Sequence, residues 1–311
     1  MTLFTKLDCL AAKIETTYGT DSVPVGSTDA MLVRNMSITP MDQTRVPRDL
    51  QRPFLGASEE LPAQILARVE FEVELAGAGA AGTVPGYGPL LRACGLQQTV
   101  SAGVSVAYAP RSTAFESVTL YAFSGNAMRH IITGARGSVV ISLPNQGIPV
   151  MRFTMMGRYA APTDNALTGA VYTAFQRPVV CNATNTTPFT VQGYSPMAAS
   201  VEIDLGNVMA WRDMIGGTQQ ALITDRNVTG TLSLEKKAIA VWNPWAALVG
   251  ATTGAFSLQH GQTAGNRVDL AGPACQLMDP RESESDNIRM WSLGMRFVPS
   301  AGNDEFTITV R

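Results

Sequence analysis

Charge is scarce in this 311-residue sequence: charged residues make up 15% of it and the formal net charge is −2. No block of lysine or arginine occurs anywhere, which argues against holding nucleic acid by neutralising its phosphates. Histidine is scarcer still, with only His130 and His260. Neither has a second histidine at metal-binding spacing, so each reads as a structural or surface residue and not as a ligand or base. Four cysteines, Cys9, Cys94, Cys181 and Cys275, are widely scattered and form no C-x-x-C pair. The N-terminus lacks the basic start and long apolar centre of a secretion signal, so the expectation is a chain made in the cytoplasm with free, buried thiols. No apolar run reaches the length that spans a bilayer. Aromatic residues are 7% and dispersed, unlike the clusters expected on the loops of a carbohydrate-binding or adhesin sandwich.

What the sequence has is apolar material, 45% of its residues, arranged mostly with a period of two. In "RVEFEVEL" (68–75), Val69, Phe71, Val73 and Leu75 fall on one face, with Glu70, Glu72 and Glu74 on the other, as in a half-buried strand. Strands are also expected at 31–40, 117–123, 128–133, 137–143 and 149–159, the last two forming a hairpin across "PNQG". A short helix is expected from Gly88 to Cys94, capped by Gly95. The second half repeats this order. A strand at 199–206 has Glu202 and Asp204 on its polar face. A polar, irregular stretch leads to a strand at 228–235 and a short helix at 243–250. Strands near 255–260 and 266–270 precede a closing hairpin of 272–279 with 288–299 across "PRESESDN".

The repeated order predicts a mainly β fold of two tandem, duplicated β-sandwich or barrel units, each with one short flanking α-helix. The expected divisions are an arm at 1–30, a first unit at 31–160, a connector at 161–198 and a second unit at 199–311. The long loops at 41–64 and 207–226 take matching places in the two units.

One stretch points elsewhere. Gly77, Gly79 and Gly82 have the G-x-G-x-x-G spacing of a dinucleotide-binding loop. That loop needs an immediate helix, a parallel strand apolar on both faces and an acid about 20 residues on. Here "TVPGYGP" forbids the helix, the strand before it is amphipathic, and no acid follows at that distance. The run reads as a flexible linker, with no cofactor. The acids of "DPRESESD" lack the glycine and final glutamate of a calcium loop and read as a solvated turn. No catalytic constellation is visible, and the chain is not expected to be an enzyme.

Several longer stretches carry a resemblance: "AAKIETTYGTDSVPVGSTDAMLVRNMSITP", "RDLQRPFLGAS", "VEFEVELAGAGAAGTVPGYGPLLRACGL", "GARGSVVISL", "ITDRNVTGTLSLE" and "GNDEFTITV". Together they are spread from residue 11 to residue 310, and the sequence resembles the tail tube (major tail) proteins of long-tailed bacteriophages in their two-domain form. The resemblance implies a structural virion protein, assembled in the host cytoplasm, whose rings stack into the tail tube through which viral DNA is ejected. Single-unit relatives form six-fold rings, so a chain of two units implies trimeric rings with pseudo-six-fold symmetry. Implied partners are the chain itself, the tape measure protein, the tail terminator and the distal tail or baseplate proteins. Double-stranded DNA passes without specific binding, and no membrane or small-molecule ligand is expected. Glu70, Glu72, Glu74, Glu202 and Asp204 are candidates for the lumen wall. Asp42, Arg45, Arg48, Asp49 and Arg52 in the first long loop, with Arg212, Asp213, Gln219 and Gln220 in the second, are candidates for ring-to-ring contacts. The arm at 1–30 is expected on a neighbouring ring. A tail terminator or baseplate protein shares such folds but closes a stack, whereas this sequence keeps loops suited to repeating it.

Overall fold

In the computed structural model, which describes residues 2–311, the alternation of "RVEFEVEL" builds the strand Glu60–Glu74. Val69, Phe71 and Val73 are buried and Glu70 is exposed. This strand pairs antiparallel with Arg34–Pro47 on one side and Val150–Tyr159 on the other. Val150–Tyr159 in turn pairs with Met128–Pro144. The same four-strand arrangement recurs: Ala198–Asp204, Thr229–Glu235, Ile288–Phe297 and Val268–Ser285 pair in that order.

The two sets of four are joined edge to edge. Ala198–Asp204 pairs antiparallel with Met128–Pro144, placing Val201 opposite Leu143 and Ile203 opposite Ile141. Eight strands therefore make one continuous face, alternating in direction throughout. Corresponding positions match closely. Ile38 faces Val69, which faces Met155; Val201 faces Leu232, which faces Leu293. Both long hairpins thus leave the sheet at the same end, and the short turns of the closing hairpins lie at the other.

Two long strands bend so that each serves two layers. The start of Met128–Pro144 pairs with Val118–Ser124 and its end with Ala198–Asp204. Val268–Ser285 pairs at its start with Thr253–His260 and Thr307–Val310. Thr307–Val310 also pairs with Ser105–Pro110, so the second layer, like the first, crosses between the halves. A single apolar cluster runs through both, including Phe71, Phe153, Leu90 and Leu91 from the first and Trp291, Leu293, Phe256 and Ile308 from the second.

Several elements differ from the sequence expectation. Of the stretch 1–30, Cys9–Ile14 pairs with Val118–Ser124 of the same chain, in its second layer. Glu15 anchors it, accepting the hydroxyls of Ser117 and Thr119 and the amides of Gly19 and Gly134. Four such bonds leave this buried carboxylate well satisfied. The "irregular" stretch 207–226 is a hairpin, Asn207–Arg212 against Gln220–Arg226. The closing hairpin turns on Asp286 and Asn287 alone, both at positive φ, so its first strand runs six residues further than "PRESESDN" suggested. The two expected helices form as Gly88–Ala93 and Trp245–Val249, with Gly95 at φ +79° after the first, and a further short helix, Gly26–Asp29, was not foreseen.

The glycine run is ordered by close contact. Gly77 N–H donates to Asn266 Oδ1 at 2.8 Å and Gly79 N–H to the Gly265 carbonyl at 2.8 Å. A Cβ on Gly77 would strike the Gly265 carbonyl oxygen, and Gly79 and Gly82 hold φ of +87° and +74°. These glycines let two backbones from different halves touch, which a flexible linker would not require. The strand before them is antiparallel to both neighbours, unlike the parallel strand of a dinucleotide fold.

Candidate functional site

Residues directly opposite across paired strands project to the same face, so registers trace side-chain rows over the sheet. One row runs Arg34, Glu72, Arg152, Val140, Asp204, Thr229, Arg296 and Gln276 across all eight strands. The next runs Glu74, Val150, Ser142, Glu202, Thr231, Gly294 and Met278. Glu70 lies on the same face opposite Thr154. All five acids chosen from the sequence therefore share one polar face, opposite to the core.

That face is not a bare acidic stripe. Arg34 Nε donates to Glu72 Oε2 at 2.8 Å, Arg152 stands directly opposite Glu72, and Arg68 Nε donates to Asp42 Oδ2 at 2.6 Å. Arg296 completes the row two strands beyond Asp204. Sequence reasoning selected the acids and passed over these arginines. The signal was present in "MRFTMMGRY", where Arg152 and Thr154 alternate with Met151, Phe153 and Met155. Acids and arginines interleave, leaving a nearly neutral, well-hydrated surface with no large single-sign field.

The contact candidates fall on the two long hairpins. Arg45 is exposed opposite Pro62, Asp49 is exposed, and Arg48 and Arg52 both pair with Glu59, the latter at 3.7 Å. On the second hairpin Arg212 lies opposite Gln220, Gln219 Nε2 donates to Asp213 Oδ2 at 2.9 Å, and Gln220 bonds Thr218. The sequence reading missed the apolar residues at both tips. Phe54 and Leu55 on the first, and Met214 and Ile215 on the second, are exposed, Leu55 and Ile215 completely.

Nothing on the polar face resembles reaction chemistry. His260 is buried in the second layer, with Nε2 3.1 Å from the Val179 carbonyl and Nδ1 3.0 Å from Thr186 Oγ1. The carbonyl can only accept, so Nε2 carries the proton and Nδ1 accepts from the hydroxyl. Burial holds the pKa of His260 and of His130 below the ordinary histidine value, favouring the neutral ring. All four cysteines are free. Burial pushes Cys275 up to about 12 and Cys9 to about 11, the opposite of an activated nucleophile. Among the described residues no group of three or more His, Cys, Asp or Glu is placed to hold a metal, and no helix is long and apolar enough to cross a membrane.

A family model described as phage tail tube protein matches residues 7–293. The chain belongs to the phage tail tube protein family. A search of the curated proteins finds no match. As a tail tube protein it is a structural component of the virion tail that assembles with itself into a tube, in a family that is generally non-enzymatic.

Proposed function

We propose that three copies of this tail tube protein close into a ring, that rings stack into a non-contractile tail tube, and that the polar face of the long sheet lines the channel for viral DNA. The observation that carries this reading is the eight-stranded sheet, made of two matching halves and ending at each side in an exposed strand. Matching halves arise most simply from tandem duplication of one unit, and three duplicated chains supply six units. With strands about 4.8 Å apart and tilted by up to about 40°, twenty-four strands enclose a backbone cylinder roughly 37–48 Å across. Side chains would reduce this to a bore of about 25–35 Å, wide enough for a B-form duplex. Closure also removes sheet edges that would otherwise invite aggregation.

The wall then matches its task. A lumen of interleaved acids and arginines gives phosphates no continuous cationic track, so DNA slides without releasing many counterions. Glu70, Glu72, Glu74, Glu202 and Asp204 face the channel. The two hairpins of each chain carry head-to-tail contacts between rings, which generate an open filament. The tape measure protein fills the tube during assembly, and the tail terminator and distal tail or baseplate proteins cap its ends.

Electron microscopy of the purified chain tests the proposal. Hollow tubes with three-fold rings and the five acids on the inner wall are expected. Persistent monomers under all conditions, or acids on the outer wall, would overturn it.

A further inference from the structure

We infer that the edge strand Arg34–Pro47 of one copy pairs antiparallel with the exposed edge of Val268–Ser285 of a second copy, with Thr39 facing Ser285. The inference rests on the ring proposed above and specifies its lateral contact. Both edges are open in a single chain: residues 279–285 are exposed, and most of Arg34–Pro47 is exposed. They carry opposite charge balances. Residues 34–52 hold four arginines and two aspartates, whereas 279–289 hold four acids and two arginines.

The chain contains its own template for this contact. Ala198–Asp204 opens the second set of four strands as Arg34–Pro47 opens the first, and it docks on Met128–Pro144, the counterpart of Val268–Ser285. Register transfers through the shared frame. Phe153 faces Val139 and Phe71, while Trp291 faces Glu282 and Leu234, so Val139 corresponds to Glu282 and Ser142 to Ser285. Ile38 faces Val69 as Val201 faces Leu232, so Thr39 corresponds to Glu202. Glu202 faces Ser142 in the internal junction, and Thr39 therefore faces Ser285 in the external one.

The geometry of that pair follows too. Asn145 N–H donates to the Ala199 carbonyl at 2.8 Å and Leu205 N–H to the Val139 carbonyl at 3.0 Å. Odd-numbered positions of the docking strand thus form the hydrogen-bonded pairs, and Glu202–Ser142 is a non-hydrogen-bonded pair, whose side chains lie closest. The same holds for Thr39 and Ser285.

A clasp accompanies the strand. Beyond Asp204 the second hairpin folds onto the first half, burying Ala221 beside Leu66 and Met156 and bringing Ile223 against Gly95. Arg136 donates to the Ala221 carbonyl and Arg158 to the Gln219 carbonyl, at 2.9 and 2.8 Å. The first hairpin has nothing equivalent to fold onto, and leaves Val46 and Leu61 exposed. The second half of a neighbouring copy supplies that surface.

The test is disulfide trapping in the full chain, since directly opposed strand positions meet the Cα spacing of a disulfide. Tubes of the T39C/S285C variant, oxidised and denatured, are expected to yield covalent trimers as the largest species, reversible by reductant. T39C/E284C, whose second cysteine projects to the other face, is expected to stay monomeric, as is each single variant. Should the double variant fail to assemble, mixed T39C and S285C chains joined by a short bismaleimide provide the second reading, with covalent dimers expected. Tubes formed by the wild-type chain, with no cross-link from the cysteine variants by either route, would overturn the lateral contact and leave the tube standing. Absence of tubes from the wild-type chain would overturn both.

Discussion

Arg226 Nε lies 2.5 Å from Glu305 Oε1, and both side chains are almost fully buried. Arg226 ends the second hairpin and also donates to the Arg111 carbonyl of the first half at 3.0 Å, so one guanidinium ties three segments together. Removing one partner of a buried pair strands the other charge, at a cost of about 3–5 kcal/mol. R226A is expected to lose about that much in urea unfolding. R226M/E305L, which removes both charges, is expected to lose clearly less. Equal losses in the two variants would show that packing, not charge, dominates at this position.

The glycine contact between the halves predicts a graded series. G77A drives a methyl group into the Gly265 backbone, which has nowhere to retreat, and is expected to cost about 1–3 kcal/mol or more. At Gly79 the nearest neighbour is the Gln176 side chain, which can move, so G79A is expected to cost mainly the strain of positive φ, about 1–2 kcal/mol. Gly103 has φ +69° with open space around it and measures that backbone strain alone. Thermal unfolding of the three alanine variants should rank G77A as the least stable.

Acidification should weaken the fold through the two buried histidines. Burial depresses both below 6.5, although the bond to the Val179 carbonyl partly opposes this for His260. The unfolded chain therefore takes up protons just below pH 6.5 while the folded chain does not. Stability is full above that pH and declines as pH falls below it, towards the depressed native values. Melting temperatures between pH 7.5 and 5.5 should fall, and H260Q should shrink that fall. An H260Q profile parallel to wild type would remove His260 from the explanation.

On the proposed stacking of rings, the exposed apolar tips serve assembly and not folding. L55D and I215D alter fully exposed side chains and are expected to change stability by no more than about 0.5 kcal/mol. Sedimentation and electron microscopy should nevertheless find short stacks or free rings. Tubes of normal length from the double variant would show that other surfaces join the rings.

How much of this was legible beforehand varies by element, for physical reasons. Strands whose two faces differ, such as Glu60–Glu74 and Val150–Tyr159, declare themselves by alternation. Cys9–Ile14 does not, because "CLAAKI" is covered on both sides and shows no period. The 207–226 hairpin was hidden because its buried Ala221 answers to Leu66 and Met156, both over sixty residues away in sequence. The glycine motif looked like a phosphate loop because the same property, a backbone without Cβ, permits approach by an anion or by another backbone.

The sequence by itself determined the β class, the repeated order of elements and the family, because these rest on periodicity, residue type and local motif. Only the tertiary structure decided that the two halves share one sheet and one core. It also placed Glu72, Arg152, Asp204 and Arg296 in a single row on one face. Alternation tells which residues lie together on a strand, but registers between strands depend on long-range pairing and bulges, such as those between Thr133 and Arg136 and between Met278 and Arg281. A shift of one residue at either place would turn the row towards the core.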